Sequence, residues 1–337
     1  MSNEQLSPHR GANYQLEAPV VTYCDGVLRS VDFDDLYFDA QDGLAESQYV
    51  FIEGTQLQNK LVTSSHLTIA ETGFGTGLNF LAVLDLLAAF PRHQIDYISF
   101  ESRPLSPKIM ASSHAAFPSL ALYSVALLDN LPPRWPGLHL RHFNNGRVRL
   151  HLYYGAAETL LAESVFEADI WFLDGFSPAK NPEIWSSEII QQIARLSVHK
   201  ARLATFTVAA SVRSSLADAG FTCQRVAGFG RKRDMLIASY MKGFSFEKQL
   251  RPRRVLVIGG GIAGCAVAGG LKTLGIEATI LDAAAQEGAG ASGNPAGIVV
   301  PFLTVGDMVG MRLSISSLAD TRVFLDAHDL TLSDGVI

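Results

Sequence analysis

The stretch LTIAETGFGTG (67–77) runs from a short apolar strand through three glycines into LNFLAVLDLLAAF (78–90), a helical run. A strand, a glycine-rich turn and a helix in that order is the opening unit of an open α/β sheet. Outward from it, IDYISFE (95–101), VRLHLYYG (148–155), DIWFLDGF (169–176) and RLATFTVA (202–209) are further strand-like runs, most of them followed by helical segments. That alternation predicts a largely parallel sheet with helices on both faces. HLRHFNNGRV (139–148) sets Asn144-Asn145-Gly146 between two strand-like runs, a hairpin signal. FTCQRVAGF (221–229) and DMLIASYM (234–241) are separated only by GRKR, and two strands joined so closely must be antiparallel.

The glycine turn reads E-x-G-x-G-x-G, with Glu71, Gly73, Gly75 and Gly77 as candidate cofactor residues and Asn79 just inside the helix. The glycines let the backbone turn sharply and approach a ligand without a Cβ clash. Glu101, ending the next strand, is placed to accept hydrogen bonds from ribose hydroxyls. An acid at the start of the loop suits S-adenosylmethionine (SAM), which has no phosphates. A parallel sheet closed by an antiparallel hairpin is the arrangement of class I SAM methyltransferases.

Asp174 follows the buried strand IWFL and opens DGFSPAKNP (174–182). In-line attack on a sulfonium methyl needs an uncharged nucleophile. A carboxylate beside an amine can orient its lone pair and take its proton. Phe176 offers a π face to the sulfonium or to a base, and Lys180 completes the catalytic candidates. The alternatives are a helix cap for Asp174 and a solvent-facing role for Lys180.

A second glycine loop follows. RVLVI (254–258) leads into Gly259-Gly260-Gly261-Ile262-Ala263-Gly264, a G-x-G-x-x-G in strand-to-helix context, and Asp282 ends the next strand 23 residues after Gly259. That spacing fits an adenosine ribose on the acid, with Gly259, Gly261 and Gly264 shaping the pyrophosphate turn. The later segment GASGNPAG (290–297), with Ser292 and Gly293, resembles a flavin-contact loop of amine-oxidising flavoproteins and favours FAD over NAD. The domain reading is a methyltransferase over 1–241, a linker over 242–253 and the beginning of an FAD-binding Rossmann domain of glycine oxidase type over 254–337.

The 337 residues are 48% hydrophobic, enough for two cores. No uninterrupted apolar run approaches the length of about 18 residues that spans a membrane, and MSNEQLSPHRGANYQLEAP carries no secretion signal. The expected location is the cytoplasm. Cys24, Cys223 and Cys265 are scattered, which argues against disulfides, and neither they nor His139 and His142 form a metal set. Net charge is −6, yet residues 225–254 hold nine Lys and Arg against Asp234 and Glu247. Arg231, Lys232 and Arg233 are candidate contacts for a polyanion, and a solvated basic linker is the alternative.

With these pieces assembled, the chain resembles the bacterial MnmC family of bifunctional tRNA-modifying enzymes. The resemblance rests on DFDDLYF (32–38), GLAESQYVFIEGTQL (43–57), ETGFGTGLNFL, ISFESRPL, WFLDGFSPAKNPEIW, LATFTVAASVRSSLADAGF, GFGRKRDML, VIGGGIAG and GASGNPAGIVVP. It implies a flavin domain that removes the carboxymethyl group from 5-carboxymethylaminomethyl-uridine at the tRNA wobble position. It also implies a methyltransferase domain that methylates the resulting amine, giving 5-methylaminomethyl-(2-thio)uridine. The basic triplet is then a contact for anticodon-arm phosphates. The chain departs from the family pattern at Gly155-Ala156-Ala157-Glu158, where an Asp usually follows the glycine, and Glu158 is the substitute candidate. Its flavin portion is also far shorter than a complete domain, and the expectation is that this portion is incomplete. Three competing readings are a methyltransferase beside a non-functional flavin remnant, a non-catalytic tRNA-binding protein, and a small-molecule amine oxidase, which fits the flavin loop but leaves the first 240 residues unexplained.

Overall fold

The computed structural model describes residues 15–24, 26–39, 42–230, 232–242, 254–294, 297–302, 308–326 and 330. The linker expected over 242–253 falls almost entirely outside them, as does Arg231.

Three short strands, β1 (Val21–Cys24), β2 (Val27–Ser30) and β3 (Asp35–Leu36), form an antiparallel meander. Helices α1 (Gly43–Ser47) and α2 (Leu57–Thr63) follow, joined through a π-helical turn. The main sheet then begins with β4 (His66–Glu71), α3 (Leu78–Leu86), β5 (Gln94–Glu101), α4 (Pro107–His114) and α5 (Ala121–Asp129). It continues with β6 (Gly137–Phe143), β7 (Val148–Tyr154), α6 (Ala157–Glu163), β8 (Ala168–Phe172), α7 (Ser187–Arg195) and β9 (Ser197–Thr205). Helix α8 (Ala210–Ala219) and strands β10 (Phe221–Ala227) and β11 (Asp234–Tyr240) complete it.

The eight strands lie in the order β10-β11-β9-β8-β4-β5-β7-β6. The central five are parallel, β6 pairs antiparallel with β7, and β11 pairs antiparallel with both β9 and β10. Both expected hairpins are present. At the first, Asn144, Asn145 and Gly146 all take positive φ, the backbone a tight hairpin turn demands.

Strand side chains alternate between the two faces, and each face is covered. Ile69, Tyr97, Leu150 and Phe172 pack beneath α3, α2 and the π-helical turn, while Ala70, Ile98, Trp171 and Leu203 pack against α6, α7 and α8. Helix α7 is typical of that cover: the Ser186 hydroxyl caps it at Ile189 N, and Ile189, Ile190, Ile193 and Ala194 point into the core.

After residue 253, β12 (Arg254–Ile258), α9 (Ile262–Thr273) and β13 (Glu277–Leu281) form one parallel βαβ unit, followed by α10 (Met308–Asp326). Helix α10 lies against β6 of the large sheet. There the buried Arg141 donates to Asp320 at 2.5 Å, Arg312 pairs with Glu163 at 2.6 Å, and Ile315, Ser316 and Ala319 are buried. Gly137 must be glycine in that contact, because a Cβ would stand 2.9 Å from the Arg312 carbonyl oxygen.

Candidate active site

The carboxyl ends of the central strands open on a cavity of about 560 Å³, where ligands sit in open α/β sheets. The loop after β4 forms its floor. Gly75 and Gly77 take φ of +52° and +75°, and a Cβ on Gly73 would press on the Asp174 carbonyl oxygen at 3.3 Å. Glu101 ends β5 and is pinned to this loop: its carboxylate accepts from Gly75 N at 2.9 Å and from Arg103 N at 2.8 Å. Burial pushes its pKa up, and the backbone amides oppose that shift. A carboxylate held at the end of β5 beside the bare glycine loop presents an acceptor for ribose hydroxyls and a counter-charge for a sulfonium, so these residues fit SAM. Ala156 and Glu158 line the same cavity at the end of β7.

Asp174, just past β8, faces the cavity from the other side of the loop. One carboxylate oxygen accepts from Gly175 N at 2.8 Å, and the other accepts from the Asn79 side-chain amide at 2.7 Å. Burial raises its pKa to about 6, against the pull of those two hydrogen bonds. Asn79 also donates to Glu71 at 2.8 Å, and the Ser99 hydroxyl donates to the other oxygen of Glu71 at 2.7 Å. Glu71 is 1% exposed and does not line the cavity. Its pKa rises to about 8, first from burial and then from the neighbouring Asp174. The sequence expectation put Glu71 and Asn79 on the cofactor. Asn79 lines the cavity and also bridges two carboxylates, while Glu71 lies behind it, its raised pKa favouring the protonated acid. Asp174 is therefore held in one orientation by a partner eight residues beyond the start of the glycine turn.

Residues 118–241 match a family described as "S-adenosyl-L-methionine-dependent methyltransferase", and residues 254–335 match "FAD dependent oxidoreductase". The tRNA 5-methylaminomethyl-2-thiouridine biosynthesis bifunctional protein MnmC of Magnetococcus marinus is 42% identical over 297 residues, covering 84% of this chain and 44% of its own length. Its counterpart in Marinomonas sp. is 36% identical over 340 residues, covering 94% of this chain and 50% of its own length. The chain belongs to the MnmC family. It spans about half the length of the curated MnmC relatives it matches. The crystal structure of MnmC2 from Aquifex aeolicus shares the fold, with a TM-score of 0.54 at 24% identity over 68% of this chain and 72% of that one.

The motif DGFSPAKNP (174–182) divides in space. Phe176 lines the cavity, stacked on Phe33 at 4.8 Å and edge-on to Tyr37 at 5.1 Å. Lys180, expected among the catalytic residues, turns outward instead. Its ammonium donates to the Asp34 carbonyl and lies 3.5 Å from Asp35, while Asp35 also accepts from Ser177 N at 2.9 Å. Lys180 is thus a tether for the β1–β3 meander, which Arg103 grips from the opposite wall through Asp32 at 2.6 Å. The meander delivers Phe33 and Tyr37 to the cavity, and neither aromatic was singled out from the sequence.

The basic stripe is less free than its composition implies. Arg225 pairs with Asp234, and Lys232 turns into the cavity wall, 2.5 Å from Glu46. Arg233 is exposed, and Arg231 lies outside the described residues.

In the βαβ unit, Gly259 takes φ +103°, and Gly264 must lack a side chain because a Cβ would fall 1.8 Å from the Gly259 carbonyl oxygen. Asp282 accepts from Gly260 N at 2.6 Å, and the Ser292 hydroxyl accepts from Ile262 N at 2.9 Å, so the GASG segment folds over the glycine loop. A Cβ on Gly293 would stand 2.3 Å from the Gly288 carbonyl oxygen. With Gly261 as a bare N-cap on α9, these residues fit the ADP half of FAD.

Proposed function

We propose that residues 1–241 methylate the exocyclic amine of 5-aminomethyl-(2-thio)uridine at the tRNA wobble position. The observation that carries this reading is Asp174: a half-buried carboxylate, clamped by Asn79 and Gly175 N, in the cavity that also holds Glu101 and the glycine loop. SAM bound there supplies an electrophilic methyl group on a sulfonium. Glu101 would accept hydrogen bonds from the ribose hydroxyls, and the bare backbone at Gly73 and Gly75 would leave room for the cofactor to approach Asp174. Asp174 accepts an N–H hydrogen bond from the acceptor amine and aims its lone pair at the methyl carbon. The new N–C bond forms as the S–C bond breaks, its electron pair stays on sulfur, and the amine proton passes to Asp174. The stacked Phe33 and Phe176 rings wall the cavity against water.

In the full-length relatives the second unit would first free the amine by oxidative removal of the carboxymethyl group, with FAD as oxidant. For the 337-residue chain a second reading is favoured, a methyltransferase beside a flavin segment that does not turn over. Ile258, Ile262 and Leu256 are 83%, 77% and 57% exposed, so among the described residues the βαβ unit leaves these apolar side chains without cover.

The test is mass analysis of wobble nucleosides after incubating the chain with SAM and tRNA bearing the aminomethyl base. A gain of one methyl group supports the proposal; tRNA binding without SAM binding or mass gain would mark a non-catalytic tRNA-binding protein.

A further inference from the structure

The methyl acceptor has to reach Asp174 from the β9 side of the cavity, because Glu101 and the glycine loop occupy the β4–β5 side. Three residues line that approach: Glu46 from α1, Phe206 immediately after β9, and Lys232 from the β10–β11 turn. The Lys232 ammonium sits 2.5 Å from a Glu46 carboxylate oxygen and 4.4 Å from the centre of the Phe206 ring. The other Glu46 oxygen accepts from Asp39 N at 3.1 Å, which fixes the carboxylate. Phe206 is fixed too, edge-on against Trp185 at 5.9 Å. Glu46 and Lys232 both act on the charge of Asp174, in opposite directions, so the group lies within electrostatic reach of it.

A carboxylate on one side and an aromatic face on the other is the chemistry that recognises an alkylammonium ion. Lys232 is itself a primary alkylammonium. We propose that Glu46 and Phe206 form the subsite for the ammonium group of the methyl acceptor, and that Lys232 fills it as a placeholder in the free chain. This rests on the reading of the cavity as an amine methyltransferase site. Lys232 can leave, because its side chain is 43% exposed and stands on a turn. The arriving primary ammonium docks between Glu46 and Phe206, beside Asp174, and gives one proton to solvent to become the neutral amine that attacks, while the displaced Lys232 is freed to meet the negatively charged RNA that carries the base. The exchange swaps one cation for another, so the carboxylates of Glu46 and Asp174 never face each other uncompensated.

The test uses ethylammonium chloride as the probe in calorimetric titrations of the intact chain, with sodium chloride as the ionic-strength control. A placeholder that fills the seat for most of the time weakens a competitor in proportion to its occupancy. Lys232→Met should therefore bind ethylammonium about tenfold more tightly than the parent. Adding Glu46→Gln, or Phe206→Leu, to Lys232→Met should abolish most of that gain. Equal binding by the parent and Lys232→Met would overturn the proposal, as would a gain that survives Glu46→Gln. Lys232→Gln carries the same test if Lys232→Met does not fold. Neither tRNA nor methyl transfer enters the readout, so a parent chain that failed to methylate tRNA would sink the functional reading and leave this result legible.

Discussion

Replacing Glu71 by Gln separates a ligand contact from a buried support. The Glu71 carboxyl has its pKa raised from 4.5 to about 8, so between those values it is protonated in the folded chain and ionised in the unfolded one. The folded state then binds the extra proton, and stability falls as pH rises through this window, by about 1.4 kcal/mol per pH unit at most. The slope flattens near pH 8, which leaves roughly 2 kcal/mol lost between pH 6 and pH 8. For a domain of this size that corresponds to a fall in melting temperature of about 6 °C. Glutamine matches the neutral acid: its amide oxygen can accept from Asn79, and its NH2 can donate to Ser99, whose side chains now hold the carboxyl. Glu71→Gln should remove that component of the pH slope and leave SAM affinity within about threefold, since Glu71 does not line the cavity. The assay is thermal melting of parent and variant at pH 6, 7 and 8, with SAM titrations at each. Parallel slopes, or a tenfold loss of SAM affinity, would refute the assignment and return Glu71 to the cofactor.

Asp174→Ala should cut single-turnover methyl transfer by about a hundredfold while SAM binding changes only a few-fold. In the parent the same rate should drop as pH falls through about 6, because protonated Asp174 cannot take the amine proton; a flat profile there would assign the proton to another group. Lys180→Ala should leave turnover within about threefold and cost no more than ~1 kcal/mol, as expected for a partly exposed ion pair; a hundredfold loss in turnover would restore the catalytic role. Ala156 caps α6 with extended backbone and no side-chain hydrogen bond. Ala156→Asp should add about 1 kcal/mol of stability in a melt and tighten SAM binding in a titration. The purified 337-residue chain should be colourless and unable to process the carboxymethylaminomethyl base, and a stoichiometric flavin spectrum would show that Asp282 and the GASG segment suffice.

Local signals were legible where the chemistry is local. The Asn-Asn-Gly turn, the antiparallel end of the sheet, the glycine loop and Glu101 all depend on backbone needs that a few adjacent residues express. The site's second layer depends on distant partners and left no such trace. Lys180 meets Asp35 across 145 positions, and Lys232 meets Glu46 across 186. A lysine written into a conspicuous motif looks catalytic until its counter-ion is found. The meander that supplies Asp35 has strands of two to four residues, too short to show an alternation of apolar and polar positions. Asn79 was picked as a cavity residue, and its bridge between Glu71 and Asp174 left no trace, because spacing along a helix shows which way a side chain points and not which acid waits there.

Helix α10 arises after the glycine loop that begins the flavin unit, yet it shields the outermost strand of the methyltransferase sheet. Expressing residues 1–241 by themselves would strip Asp320 from the buried Arg141 guanidinium and lay bare the unpaired rim of β6. A naked rim of that kind invites strand-to-strand self-association. The methyltransferase sheet and the segment after the βαβ unit therefore share a seam, and a cut after residue 241 should leave the sheet less stable than in the intact chain. A workable methyltransferase fragment would carry a substitute for α10, or an apolar residue in place of Arg141 to relieve its stranded charge.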